Sequence, residues 1–143
     1  MLFEDTGVGE IVVVGKVKHR VLVVDDYPDS AEIACTLLGI LGHDTRLATC
    51  GREAIEEATQ FDPDIVILDI GLPDITGYDV ARTLRARGRP MHLTALTGWG
   101  QAADRMRAFA AGFDQFVLKP TDAAKLRAIV QIAEDCRARR RCP

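Results

Sequence analysis

A chain of 143 residues, 48% of them hydrophobic, has room for one domain with a real core and is short for two of ordinary size. Its formal charge of −3 excludes the dominant positive field of a protein that coats nucleic acid, and no stretch approaches the roughly 20 apolar residues of a membrane span. Residues 1–10 carry acids where a secretory signal would be basic, and Cys35, Cys50, Cys136 and Cys142 show neither CxxC nor Cys/His metal spacing, so the chain reads as cytoplasmic with reduced thiols.

Residues 1–19 read as an N-terminal extension, either a tail or an extra edge strand built on Ile11-Val12-Val13-Val14. Gly7-Val8-Gly9 lacks the rest of a dinucleotide fingerprint. Val21 to Val24 is wholly apolar, as a strand buried on both faces should be, and it ends on Asp25-Asp26. The spacing of Ile33, Leu37, Ile40 and Leu41 predicts a helix over 30–41, with Asp29 or Ser30 as N-cap and Gly42 just past its end. A more polar strand over 44–48 suits a sheet edge, and 52–59 reads as a helix with Ala54, Ile55 and Ala58 inward. Asp64-Ile65-Val66-Ile67-Leu68-Asp69 is the most buried strand in prospect and also ends on a carboxylate. Val80 and Leu84 mark a helix over 76–87 stopped by Gly88 and Pro90, and 91–96 returns as strand. A helix over 101–111 turns Ala102, Met106, Phe109 and Ala110 to one side, 116–118 is the last strand, and a helix over 122–137 follows with Thr121 as cap.

Five strand-then-helix units need helices on both faces of a parallel sheet. The expected fold is therefore α/β: a doubly wound (βα)5, flavodoxin-like three-layer sandwich with sheet order 2-1-3-4-5. In that order the first and third strands flank the point where ligands bind. Asp25, Asp26, Asp69, Thr97 and Lys119 all stand at strand C-terminal ends, on one rim. Three crowded carboxylates repel unless a cation offsets them, and hard oxygen donors open to solvent suit Mg²⁺ (or Mn²⁺). Lys119 and Thr97 supply a point charge and a hydroxyl for phosphoryl oxygens, and a carboxylate in such a place can itself become an aspartyl phosphate.

With these residues collected, Val23-Val24-Asp25-Asp26, Leu68-Asp69-Ile70-Gly71-Leu72-Pro73-Asp74, Leu96-Thr97-Gly98 and Phe116-Val117-Leu118-Lys119-Pro120 resemble the receiver domain of two-component response regulators, of the chemotaxis-regulator type. The resemblance covers residues 20–138 and leaves 139–143 as a basic tail. It implies that Asp69 is the phosphoacceptor, that Asp25, Asp26, Asp69 and the Gly71 backbone carbonyl hold Mg²⁺, and that Lys119 binds the phosphoryl group. Thr97 and Phe116 would be the switch pair, and Lys119-Pro120 a cis peptide. The chain departs from the family pattern at Gly71, where a larger residue is usual, at His92, where an aliphatic is commoner, and at Phe116, where Tyr is frequent. His92 and His43 read as structural histidines. Trp99, two residues after Thr97, is either a partner-binding or surface-packing aromatic or a shield of the acyl phosphate against water, since an indole cannot accept the attacking water's proton.

The implied function is phosphorelay signalling without enzyme turnover of another substrate. A sensor histidine kinase or histidine phosphotransfer protein would supply the phosphoryl group, and a downstream protein would read the surface of the fourth helix, fifth strand and fifth helix. A second copy of the chain is a further candidate partner, whereas membrane and nucleic acid are not expected. The receiver module of a hybrid kinase is the alternative. An aspartyl-phosphate phosphohydrolase fits less well, since Gly71 stands where such an enzyme keeps a second Asp.

Overall fold

The computed structural model describes residues 2–4, 11–13, 17–98, 100 and 102–141. Strands β1 (Leu2–Glu4) and β2 (Ile11–Val13) pair antiparallel in a small sheet of their own, and among the described residues neither joins the main sheet. The main sheet contains β3 (Arg20–Val24), β4 (Asp44–Ala48), β5 (Ile65–Asp69), β6 (His92–Thr97) and β7 (Gln115–Leu118). All pairings are parallel and the order is β4-β3-β5-β6-β7, which is the expected 2-1-3-4-5 arrangement.

The period of two in a strand divides the apolar runs between two cores. Val66 and Leu68 of β5 join Leu22, Val24, Leu93 and Ala95 under α2 (Gly51–Phe61), α3 (Gly77–Ala86) and α4 (Ala102–Ala111). Ile65 and Ile67 join Val21, Val23 and Leu96 under α1 (Pro28–Ile40) and α5 (Ala123–Arg141). Every residue of β5 is buried, and each aliphatic side chain so placed contributes about 1.5–3 kcal/mol relative to exposure.

Two helices turn a different face inward from the one the large apolar residues suggest. In α1 the buried stripe is Ala31, Ala34 and Leu38, with Cys35 and Leu37 packed partly against the core, while Ile33 and Ile40 are 60% and 76% exposed. In α4 the buried residues are Ala108 and Ala111, with Met106 and Phe109 outside. The physical reason is the same in both. The sheet faces are already filled by branched and leucine side chains, so a close-packed helix must present small residues.

Helix ends also differ in detail from the sequence reading. Helix α1 begins at Pro28 with Tyr27 as N-cap and no side-chain cap bond, so neither Asp29 nor Ser30 caps it. Pro at the first helical position costs nothing, because that amide has no partner inside the helix. Gly42 does end the helix region, at φ +97°. Thr76 caps α3 by accepting from the Asp79 amide at 3.2 Å. At α5 the cap is Asp122, which accepts from the Lys125 amide at 2.8 Å, and not Thr121. Helix α5 runs on to Arg141, so Arg139 to Arg141 of the basic stretch are helical.

Cys35, Cys50 and Cys136 are free thiols; Cys142 lies outside the described residues, as do Gly7-Val8-Gly9. Among the described residues no helix is long and apolar enough to cross a membrane.

Candidate functional site

Parallel strands deliver their C-terminal residues to one rim, and the side chains singled out there do converge. Asp25 follows β3 and is 4% exposed, Asp69 ends β5 at 6%, and Thr97 ends β6 at 4%; Asp26 is exposed beside them. One carboxylate oxygen from each of Asp25, Asp26 and Asp69 lies within 4.8 Å of the others. Lys119, just past β7, is the counter-ion: its Nζ donates to Asp69 Oδ2 at 2.7 Å and stands 3.5 Å from Asp25 Oδ2. The second oxygens are spoken for by backbone, since Asp69 Oδ1 accepts from the Gly71 amide at 3.0 Å and Asp25 Oδ1 from the Tyr27 amide at 3.0 Å.

Charge and burial compete in this group. Burial pushes the Asp25 carboxyl up, against the opposing pull of the Tyr27 amide and Lys119, and repulsion from Asp69 adds to the rise. Burial alone would lower the Lys119 ammonium, but the hydrogen bond and attraction to Asp69, with Asp25 behind it, outweigh that and leave it raised. The lysine is therefore a firmly charged group balancing acids that lack enough positive charge among themselves. A trio of hard oxygen donors at a solvent-facing rim, short of cation, fits a divalent ion such as Mg²⁺.

The scaffold around Asp69 is tight on one side and open on the other. A Cβ at Gly77 would come within 2.7 Å of the Asp69 carbonyl oxygen and of Ile70 Cα, so only glycine lets α3 start this close to the acceptor strand. A Cβ at Gly71 would meet nothing closer than Asp69 Oδ1 at 3.9 Å. An open cleft of ≈ 420 Å³ beside Asp25 and Lys119 is lined by Ser30, Ile33, Ala34, Pro120 and Thr121. The Lys119-Pro120 bond is cis, as expected, and the Lys119 amide donates to the Thr97 carbonyl at 2.8 Å, joining the ends of β6 and β7. Phe116 is half-buried against the core under α2, α3 and α4, with the Arg105 guanidinium 5.9 Å from its ring centre. Trp99 lies outside the described residues.

The two histidines noted in the sequence are structural. His92 is buried with Nε2 3.1 Å from Gln115 Oε1 and Nδ1 3.8 Å from Asp114 Oδ2, and His43 Nδ1 accepts from the His19 amide at 3.1 Å. The sequence reading passed over His19, which is 2% exposed at the opposite end of the sheet. Its ring reaches Asp64 Oδ2 at 3.2 Å and Glu134 Oε1 at 2.9 Å, tying α5 to the start of β5. It also passed over Lys125, whose Nζ donates to the Leu118 and Pro120 carbonyls at 3.0 and 2.8 Å and braces the turn that carries Lys119. His19 is identified only by the meeting of distant segments, whereas the partners of Lys125 lie five and seven residues before it, across the turn that carries Lys119.

A family model for the response regulator receiver domain matches residues 21–131. The chain belongs to the response regulator receiver family. It is 36% identical over 115 residues to the DNA-binding response regulator MtrA of Mycolicibacterium smegmatis, covering 80% of this chain and 50% of that protein. With the two-component response regulator PhoP of Pseudomonas aeruginosa it shares 32% over 109 residues, covering 76% and 48%. The chain thus spans about half the length of the curated relatives it matches. Among solved structures, the chemotaxis protein CheY4 of Vibrio cholerae superposes with a TM-score of 0.78 at 24% identity over 82% of this chain and 99% of that one, a likeness of fold. NtrX of Brucella abortus gives 0.80 at 25% identity over 87% of this chain and 28% of that one.

Proposed function

We propose that this receiver domain takes a phosphoryl group from the phosphohistidine of a sensor kinase or phosphotransfer protein onto Asp69, and that the transfer switches a protein-binding surface. The observation that carries the reading is the Lys119 ammonium bridging Asp69 and Asp25 over a three-carboxylate cluster. A carboxylate oxygen of Asp69 attacks phosphorus, the P–N bond of the donor breaks, and the imidazole leaves. Asp25, Asp26, Asp69 and the Gly71 carbonyl would hold Mg²⁺, which supplies positive charge to the transferring oxygens. Lys119 follows one phosphoryl oxygen and the Thr97 hydroxyl another. Phe116 repacks behind Thr97, and the change is read on the surface of α4, β7 and α5. Such contacts bias a two-state element because they differ between the two states.

The protein catalyses only its own phosphorylation and dephosphorylation and works in the cytoplasm, where its phosphodonors are. Several relatives are named as DNA-binding regulators, so a DNA-directed output of a whole protein is the second reading, and the charge-based exclusion of nucleic acid does not stand against it. Incubation with acetyl phosphate and Mg²⁺, followed by intact mass, tests the proposal: one phosphoryl group should be added, EDTA should block it, and Asp69→Asn should abolish it. A metal-independent adduct would overturn it.

A further inference from the structure

The loop that follows Asp69 is fastened at its base by the Ile70 carbonyl, which accepts from Leu72 N at 3.1 Å and from Gly77 N at 2.9 Å, and by the 3.0 Å bond from the Gly71 amide to Asp69 Oδ1. Its outer corner, residues 71–76, is held differently. Asp74 reaches across to the start of α2, where Oδ1 accepts from the Gly51 amide at 2.7 Å and Oδ2 from the Arg52 amide at 2.9 Å. Helix α2 needs this, because its own N-cap, Cys50, makes no side-chain cap bond and leaves those first-turn amides unfilled. The loop and the helix are also in close contact. A Cβ on Gly51 would lie 2.4 Å from Ile75 Cγ1, so a glycine is what allows Ile75 to seat on the first turn of α2. Among the described residues, side-chain hydrogen bonds tie this corner to β5 through Gly71 and Asp69 and to α3 through Thr76 and Asp79, and the Asp74 bonds are those that reach α2. Both Asp74 oxygens are committed to α2 and the residue stands apart from the carboxylate trio, so its part in the site is indirect. The amides also hold its carboxyl well below the usual carboxylate range, with the charge in place at any working pH.

We infer that Asp74 is a positioning residue for the phosphoacceptor site: by clasping two α2 amides it fixes the corner of the β5–α3 loop and so sets the Gly71 carbonyl, three residues earlier, relative to Asp69. The inference rests on the reading that the trio and Gly71 hold Mg²⁺. An outer-shell partner of this kind typically contributes about tenfold or more in metal affinity without touching the ion.

Mg²⁺ titration calorimetry on the full chain, with amide hydrogen exchange by NMR, tests it. Asp74→Ala should bind Mg²⁺ about tenfold more weakly, with faster exchange at Gly51 and Arg52, and saturating Mg²⁺ should restore most of its phosphorylation rate. Asp74→Asn, whose carbonyl still accepts one amide, should recover part of the affinity. Glu53→Ala is the control for loosening of α2, since it removes only the 3.0 Å bond from the Thr49 amide; it should lower stability and leave Mg²⁺ affinity unchanged. An Asp74→Ala protein that binds Mg²⁺ as wild type does, or an equal loss in Glu53→Ala, overturns the positioning role. A wild-type chain that binds no Mg²⁺ overturns the metal reading itself.

Discussion

Replacing Lys119 with Met keeps the aliphatic stem and removes an ammonium that faces the carboxylate trio. At an effective dielectric constant of about 20, the contacts at 2.7 Å to Asp69 and 3.5 Å to Asp25 correspond to gross attractions of ~6 and ~5 kcal/mol. Carboxylate oxygens within 4.8 Å repel by ~3.5 kcal/mol or more per pair on the same scale, so the lysine offsets much of the strain in the metal-free site. Removing one partner from a buried ion pair costs about 3–5 kcal/mol. Lys119 is a third exposed, so water screens part of this and about 2–3 kcal/mol is the expected net loss. For a domain of this size that lowers the melting temperature by about 6–10 °C in EDTA. Mg²⁺ should close the gap: at a hundredfold excess over its dissociation constant it adds about 2.7 kcal/mol, and with its competitor for the carboxylates gone it should bind the variant more tightly than wild type. Thermal melts in EDTA and across a Mg²⁺ series, with calorimetric Mg²⁺ affinities, decide this. A metal-free melt matching wild type, or weaker Mg²⁺ binding by Lys119→Met, would refute the counter-ion argument.

His19 makes stability depend on pH. Its hydrogen bond to Asp64 raises the imidazole pKa against the effect of burial, with Glu134 adding to the rise, so its contribution is complete below the unfolded value near 6.5 and fades as pH rises through the higher folded value. Among neighbouring groups, Arg137 lies 3.6 Å from Asp64, and the His43 ring lies 5.3 Å from that of His19, tilted by 38°. His19→Phe should therefore cost about 1.5–3 kcal/mol at pH 6, and the difference from wild type should shrink in alkaline melts; a gap that widens with pH would reverse the sign of the argument. Gly77→Ala should cost about 1–3 kcal/mol through backbone crowding and slow phosphorylation, whereas Gly71→Ala should fold as well as wild type. Equal melts for the two glycine variants would mean that α3 does not press on Asp69.

The parts of the fold legible in the sequence were those where one signal dominated. The apolar runs at Val21 to Val24 and Ile65 to Leu68 could be only buried strands, and their carboxylate ends announced the site. Strand order followed from the alternation of strand and helix. The inner faces of α1 and α4 were not legible, because Ile33, Ile40, Met106 and Phe109 carry more apolar surface than the alanines that pack. Sheet faces already full of side chains select for small volume, which periodicity does not weigh. The role of Asp74 was hidden because its partners, Gly51 and Arg52, lie more than twenty positions earlier, and His19 was hidden for the same reason, with Glu134 at the far end of the chain.

The measurement that bears most directly on the phosphoacceptor assignment is localisation of the phosphoryl group. The protein would be phosphorylated with acetyl phosphate and Mg²⁺, the acyl phosphate trapped by borohydride reduction, and the peptides mapped by mass spectrometry. The account predicts homoserine at position 69, absent when EDTA replaces Mg²⁺. Label on His43, His92, Asp25 or Asp26, or label that forms equally well without the metal, would contradict it.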